Sequence, residues 1–353
     1  MKKVGIATFH FMDNFGAVLQ CYALQKIINR FEGIEAEIID YRPSGYRYVR
    51  VWTSEKEKIL FQKKREAFEN FLIQYCNMSP QRVSAIDGKG YDYCCVGSDQ
   101  IWNPRFLYRE YLLPNLVRDV CKIAYAPSIG CAVSEARLSE SLFKEFLPSF
   151  KAISVREREH VEYVSDISGM KCECVLDPTL LLEADDYFSI IREYKKDIKE
   201  PYLLFYWLPH DRELFRGIEL ANMISRLFNL RIVHSIFGAN GSLYFKKGEC
   251  MYYEGVEDFL WYVKNASFIV TNSYHGTIFS LQFEVPFYSF IVESMMSRFD
   301  SLMAYTDIGD RIVTKMIRPD DINKDIDFKR IKTDAFKHRD RSIGYLKNAL
   351  DSN

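Results

Sequence analysis

The sequence predicts an α/β protein built from two doubly wound parallel-sheet domains that face each other across a cleft. Three observations lead there. Short apolar runs alternate with amphipathic helical stretches from the N-terminus onward. The alternation restarts after a charged, proline-ended segment, Lys195 to Pro201. At 353 residues the chain is long enough for about two domains.

Val4 to Phe9 has a buried-strand pattern and opens the first domain, 1–195. Gly16 to Ile28 follows as a helix, with Val18, Leu19, Tyr22 and Leu24 among its apolar positions. Ala36 to Tyr41 is the next strand and Glu55 to Tyr75 a charged helix. Tyr91 to Val96, Cys121 to Ala126 and Ala152 to Val155 are further strands, and their separation by helices implies a parallel sheet. The second domain, 201–326, runs strand Tyr202 to Leu208, helix Leu214 to Leu227, strand Arg231 to Phe237 and helix Val256 to Asn265. An apolar run, Ser267 to Val270, then precedes a helical pattern from Thr277, and Pro286 to Val292 is the last strand. The tail, 327–353, reads as a helix packing back across the domains. Phe336, Ile343 and Leu350 share one face of it, with Lys329, Arg330, Lys337 and Arg339 around them. That basic face would be solvated or would touch an acidic membrane surface, and the solvated reading is favoured.

Composition narrows the function classes. With 47 basic and 48 acidic residues the net charge is −1, so no electrostatic footprint for nucleic acid is present. Nine irregularly spaced cysteines include no CxxC pair, which points to reduced thiols and away from a zinc site. The start, Met1 to Ile6, leads straight into a strand, and no apolar run reaches the roughly 20 residues that span a bilayer. A cytoplasmic protein is expected, at most peripheral at the inner face of the membrane.

The residues that would carry chemistry lie at strand ends, where ligands bind in open α/β sheets. The richest segment is Thr271-Asn272-Ser273-Tyr274-His275-Gly276-Thr277. Histidine is the side chain best suited to proton transfer near neutrality, although a histidine in a turn also serves to satisfy backbone groups. Between the first strand and helix, Asn14 and Gly16 suit a capped helix start whose free N–H groups bind an anion. The segment has no GxGxxG and is not a dinucleotide fingerprint. In Gly97 to Pro104, Asp99, Gln100, Trp102 and Asn103 suit a sugar, the ring stacking and the polar groups bonding hydroxyls. The alternative there is a packed tryptophan under an Asx turn. Arg156 would grip a phosphate or carboxylate, or pair with Glu157 or Glu159. Asp177, before Pro178, would cap the following turn or face the cleft, and the cap is favoured.

In order and spacing these segments resemble the polysaccharide pyruvyl transferase family. The resemblance runs from about Val4 to Arg311. It rests on N-F-G-A-V-L-Q at Asn14 to Gln20, G-S-D-Q-I-W-N-P at Gly97 to Pro104, S-V-R-E at Ser154 to Glu157, L-D-P-T at Leu176 to Thr179 and N-S-Y-H-G-T at Asn272 to Thr277. It implies an architecture similar to that of GT-B glycosyltransferases. It also implies transfer of pyruvate from phosphoenolpyruvate, as co-substrate, to two hydroxyls of one sugar, giving a cyclic ketal. Acceptors in the family are glycans under construction, often lipid-linked, and neither metal nor cofactor is generally needed. Arg156 matches the family's donor-binding arginine and His275 its histidine, the expected general acid and later base. The pattern departs at Ser273, where several characterised members carry arginine. Arg298, in the loop after the last strand, would restore the charge. Donor binding would thus involve Arg156, Arg298, Ser273, Asn14 and Gly16, and acceptor binding Asp99, Gln100, Trp102 and Asn103. Arg42 to Lys58 and Phe237 to Lys247 are the expected acceptor loops. Rival readings are a GT-B-like glycosyltransferase using a sugar nucleotide and a non-catalytic glycan-binding protein.

Overall fold

Two six-stranded parallel sheets organise the chain, each wrapped by helices. The computed structural model describes residues 1–43, 54–191, 198, 200–208, 213–236, 243–245, 248–291 and 296–351. Most of the expected linker from Lys195 to Pro201, and most of the two expected acceptor loops, lie outside the described residues.

The first sheet comprises β1 (Lys2–Ala7), β2 (Ile34–Ile38), β3 (Tyr93–Val96), β4 (Cys121–Ala124), β5 (Ala152–Val155) and β6 (Cys172–Cys174), in the order β2-β1-β3-β4-β5-β6. Its helices are α1 (Phe15–Ile28), α2 (Glu55–Tyr75), α3 (Val133–Ala136), α4 (Glu140–Phe146), α5 (Val161–Ser168) and α6 (Ala184–Phe188). All four residues of β3 are buried, as expected for a parallel sheet covered on both faces. The strand order reverses between β1 and β3. The loops that follow these two strands therefore flank a crevice at the carboxyl edge of the sheet.

The second sheet comprises β7 (Tyr202–Tyr206), β8 (Arg231–His234), β9 (Glu249–Cys250), β10 (Phe268–Thr271), β11 (Phe287–Phe290) and β12 (Ile312–Val313), in the order β12-β11-β10-β7-β8-β9. Helices α7 (Leu214–Phe228), α8 (Val256–Asn265), α9 (Tyr274–Gln282) and α10 (Met296–Thr306) cover it, and α11 (Phe328–Asp351) closes the chain. Here the order reverses between β7 and β10, and the turn after β10 carries His275. The doubly wound fold read from the sequence is the observed one. The sequence reading missed β6, β9 and β12, because strands of two or three residues are too short to show a period.

The domains share one hydrophobic core along α1, α8 and α9. Phe15 of α1 stacks on Phe259 of α8, with ring centroids 4.5 Å apart. Gln282, at the end of α9, donates through Nε2 to the carbonyls of Thr179 and Leu182 at 2.8 Å each, which ties the second domain to the turn after β6. Helix α11 lies on the first domain: Leu176 N donates to Ser342 Oγ at 3.0 Å, and the Tyr345 hydroxyl donates to Ala124 O at 3.1 Å. Arg339 is turned inward, donating to the carbonyls of Leu180 and Leu182 and pairing with Glu183 at 2.9 Å. It is not part of a solvated or membrane-facing surface, because these carbonyls and the carboxylate hold its guanidinium. Among the described residues no helix is long and apolar enough to cross a membrane.

Candidate functional site

A buried carboxylate lies where the two domains meet, and the site is built around it. Asp177 follows β6 and caps the turn after it, its Oδ1 accepting from Thr179 N at 3.0 Å and Thr179 Oγ1 at 2.6 Å. That is the expected cap, but it occupies only one oxygen. Oδ2 accepts from Arg156 Nη1 at 2.7 Å and Ser98 Oγ at 3.3 Å, and it stands 3.6 Å from His275 Nε2. Asp177 thus caps its turn and faces the site as well. Burial by itself raises its carboxyl. The adjacent His275 imidazole, the Arg156 charge and the Thr179 hydrogen bond outweigh that effect and hold it well below the usual carboxylate range.

His275 sits in the first turn of α9, which begins at Tyr274, three residues earlier than the apolar pattern suggested. The early start comes from Ser273, whose hydroxyl accepts from Gly276 N at 3.2 Å as the N-cap. Ser273 therefore shapes the helix start through its hydroxyl oxygen. At 3.6 Å the His275–Asp177 approach is an ion-pair distance, longer than a hydrogen bond. His275 Nε2 is buried and has no hydrogen-bond partner. The other side of the ring lies against the start of α1. A Cβ built on Gly16 would stand 2.0 Å from His275 Nδ1, so only glycine leaves room for the imidazole there. Asn14 caps this helix through its side chain, accepting from Ala17 N at 3.1 Å.

The two arginines differ in their charge balance. Arg156 is 2% exposed and already compensated, by Asp177 and by Glu157, whose Oε1 is 3.6 Å from its Nε. Its guanidinium also lies 4.6 Å from the ring centroid of Tyr274. Glu157 is in turn held by Ser128 Oγ and by Ile129 N at 3.2 Å. The pairing of Arg156 with Glu157 is present, and Asp177 takes up the rest of its charge. Arg298, 8% exposed on α10, makes no ion pair among the described residues, and its Nε has no hydrogen-bond partner. Burial, and then the charge of Arg156, push its guanidinium down to about 10, while Glu157 and Asp99 act in the opposite sense. A buried, unpaired cation beside another cation is an arrangement that an anion would relieve.

Arg298 lines a cavity of about 570 Å³ together with Gln100, Asn103, Gly130 and Ser297. The volume suits a small ligand. Of the four residues expected to meet a sugar, these two line the cavity, and Asn103 Nδ2 donates to Gln100 Oε1 at 2.9 Å. Asp99 closes its own turn, accepting from Gln100 N at 2.7 Å. Trp102 is not an acceptor platform. It is fully buried between Phe143 and Phe150, and its Nε1 donates to Tyr111 O at 3.2 Å, leaving no ring face for a ligand. The sequence reading missed Tyr274 and gave Glu157 only as an alternative partner of Arg156. The one available signal was their adjacency to His275 and Arg156.

Two doubly wound domains joined at such a seam define a two-domain α/β protein of GT-B-like architecture. Solved structures with the same fold include MnaA of S. aureus with UDP, at TM-score 0.56 and 12% identity over 99% of this chain and 97% of that one. They also include UDP-N-acetylglucosamine 2-epimerase from Rickettsia bellii, at TM-score 0.54 and 10% identity over 99% and 97%. At these identities the likeness establishes the fold alone. No curated protein sequence matches the chain. The family is given by the sequence itself: residues 14–294 match the model of the polysaccharide pyruvyl transferases, and the chain belongs to that family.

Proposed function

We propose that the protein transfers the pyruvyl group of phosphoenolpyruvate to two hydroxyls of one sugar in a surface-polysaccharide or exopolysaccharide precursor, forming a cyclic ketal. The reading rests on one observation. A buried imidazole nitrogen without a hydrogen bond, His275 Nε2, and a buried guanidinium without an ion pair, Arg298, are linked through Arg156, whose charge bears on Arg298 and which shares Asp177 with His275. The donor carries a phosphate and a carboxylate on one small skeleton. Arg298 would neutralise one of them, with the N–H groups at the start of α1 assisting near Asn14 and Gly16. Protonated His275 would deliver its proton to the methylene carbon, which becomes the methyl group, and C2 becomes electrophilic. A sugar hydroxyl attacks C2 and returns a proton to the imidazole. The imidazolium then gives this proton to the departing phosphate as the C2–O bond breaks, hydrogenphosphate leaves, and the second hydroxyl closes the ring at C2, its proton returning to the imidazole. Asp177, 3.6 Å from Nε2, would hold the ring in place through these proton transfers.

Thermal unfolding with candidate ligands tests the reading, because a ligand that binds only the folded state raises the transition temperature. Phosphoenolpyruvate is expected to stabilise the wild type, and Arg298→Ala to weaken that binding about 10–100-fold. Stabilisation by a UDP- or GDP-sugar with none from phosphoenolpyruvate would replace the proposal with a glycosyltransferase. A response to oligosaccharide alone would replace it with a binding protein. A second expectation concerns Gly16. Gly16→Ala forces the His275 ring away from its place against α1, and turnover is expected to fall on the order of 10²-fold from that misplacement. Unchanged steady-state turnover in this variant would show that the ring position does not matter.

A further inference from the structure

On the other flank of the first domain, the edge strand β6 borders a groove of about 700 Å³, closed by α10 and the second half of α11. The groove is lined by Lys151, Arg158, Lys171, His338 and Arg341, and Glu173 is its one acidic residue. That acid is already paired with Lys171 at 2.8 Å. Neither Arg158 nor Arg341 engages a carboxylate among the described residues. The half-buried His338 ring reports on the local field. It packs on Tyr305 of α10, with centroids 4.3 Å apart, and it faces Arg158 across the groove and Asp334, Lys337 and Arg341 along its own helix. Burial, and then the charges of Arg341 and Arg158, push its imidazole below the ordinary value. Arg158 and Arg341 thus bring positive charge to a concave site with no carboxylate paired to either among the described residues. Two arginines lining the groove with the His338 ring match the oxygens of a phosphate, to which guanidinium groups bind in bidentate fashion.

We propose that this groove is a second anion site that takes a phosphate monoester or diphosphate, separate from the seam that holds Arg298. Its position gives it influence there. Arg158 lies two residues beyond Arg156, and its backbone N donates at 2.9 Å to Ser301 Oγ on α10, the helix that carries Arg298. Cys174, which lines the groove, donates through Sγ to Arg156 O at 3.5 Å. An anion bound to Arg158 therefore bears on the turn of Arg156 and on α10 together.

Titration with inorganic pyrophosphate, followed through the His338 ring resonances, tests the site apart from the proposed reaction. In the wild type those signals are expected to shift, and the imidazole to titrate at higher pH once the anion is bound. Arg341→Ala should weaken this response about tenfold. Arg298→Ala should leave it unchanged, which separates this groove from the seam. Phosphatidylcholine vesicles containing phosphatidic acid distinguish the source of the phosphate. Co-sedimentation that is lost in Arg341→Ala supports a lipid headgroup, and a pyrophosphate response without co-sedimentation supports a soluble ligand. His338 signals that ignore pyrophosphate, or that respond equally in Arg341→Ala, would overturn the proposal.

Discussion

Replacing Asp177 with alanine is expected to cost about 3 kcal/mol of folding stability, the low end of what breaking a buried ion pair costs. The substitution leaves Arg156 buried with only Glu157 at 3.6 Å to compensate it. It also removes the acceptor that holds Thr179 and Ser98. Asp177→Asn isolates the charge, since it keeps the shape and an oxygen for the cap. The folded carboxyl is held below its unfolded value, which for aspartate is about 3.9. Its ionisation therefore contributes stability that is fully present above pH ~4 and is lost as the pH falls further. Urea unfolding of wild type and Asp177→Asn should show a wide gap near neutrality that narrows on acidification to about pH 3. A gap that stays constant over that range would mean that the carboxylate is not the ionised partner of Arg156.

What the sequence revealed about this molecule follows from which physical signals are local. The strand–turn–helix grammar placed Asn14, Asp99, Arg156 and His275 at strand ends, because a parallel sheet exposes its loops there whatever the packing. The fold followed from the same alternation. Burial is not local. Trp102 belongs to a loop full of polar residues, yet Phe143 and Phe150, forty or more positions away, enclose it. Nor could the charge balance of the arginines be read from the chain. Arg156 and Arg298 are equally basic in sequence, and only the fold gives the first two carboxylates and leaves the second without an ion pair. Ser273 shows the same limit in a smaller way. The serine two residues before His275 was read for its side chain alone, and its capping of the helix that presents His275 was not. Asp177 was legible as a cap because Pro178 and Thr179 adjoin it; its second oxygen meets partners 21 and 98 residues away.

His275→Ala is expected to reduce ketal formation by ~10²–10⁴-fold, the usual contribution of a positioned acid or base. The variant should stay folded, because Arg156 and Thr179 still hold the Asp177 carboxylate. Donor binding should also survive, since the unpaired cation is Arg298. That combination distinguishes a proton-transfer role from a structural one. If His275 merely braced α9 against α1, its loss would lower stability and donor affinity together with turnover. Solvent isotope provides a direct readout. In deuterated water the wild type should place one deuterium in the methyl group of each ketal, because the methylene carbon takes its proton from an exchangeable group. Turnover close to wild type in His275→Ala would remove the histidine from the chemistry and move the search for the acid to other groups at the seam. Restored activity in His275→Gln, which keeps the side chain polar but carries no transferable proton, would do the same.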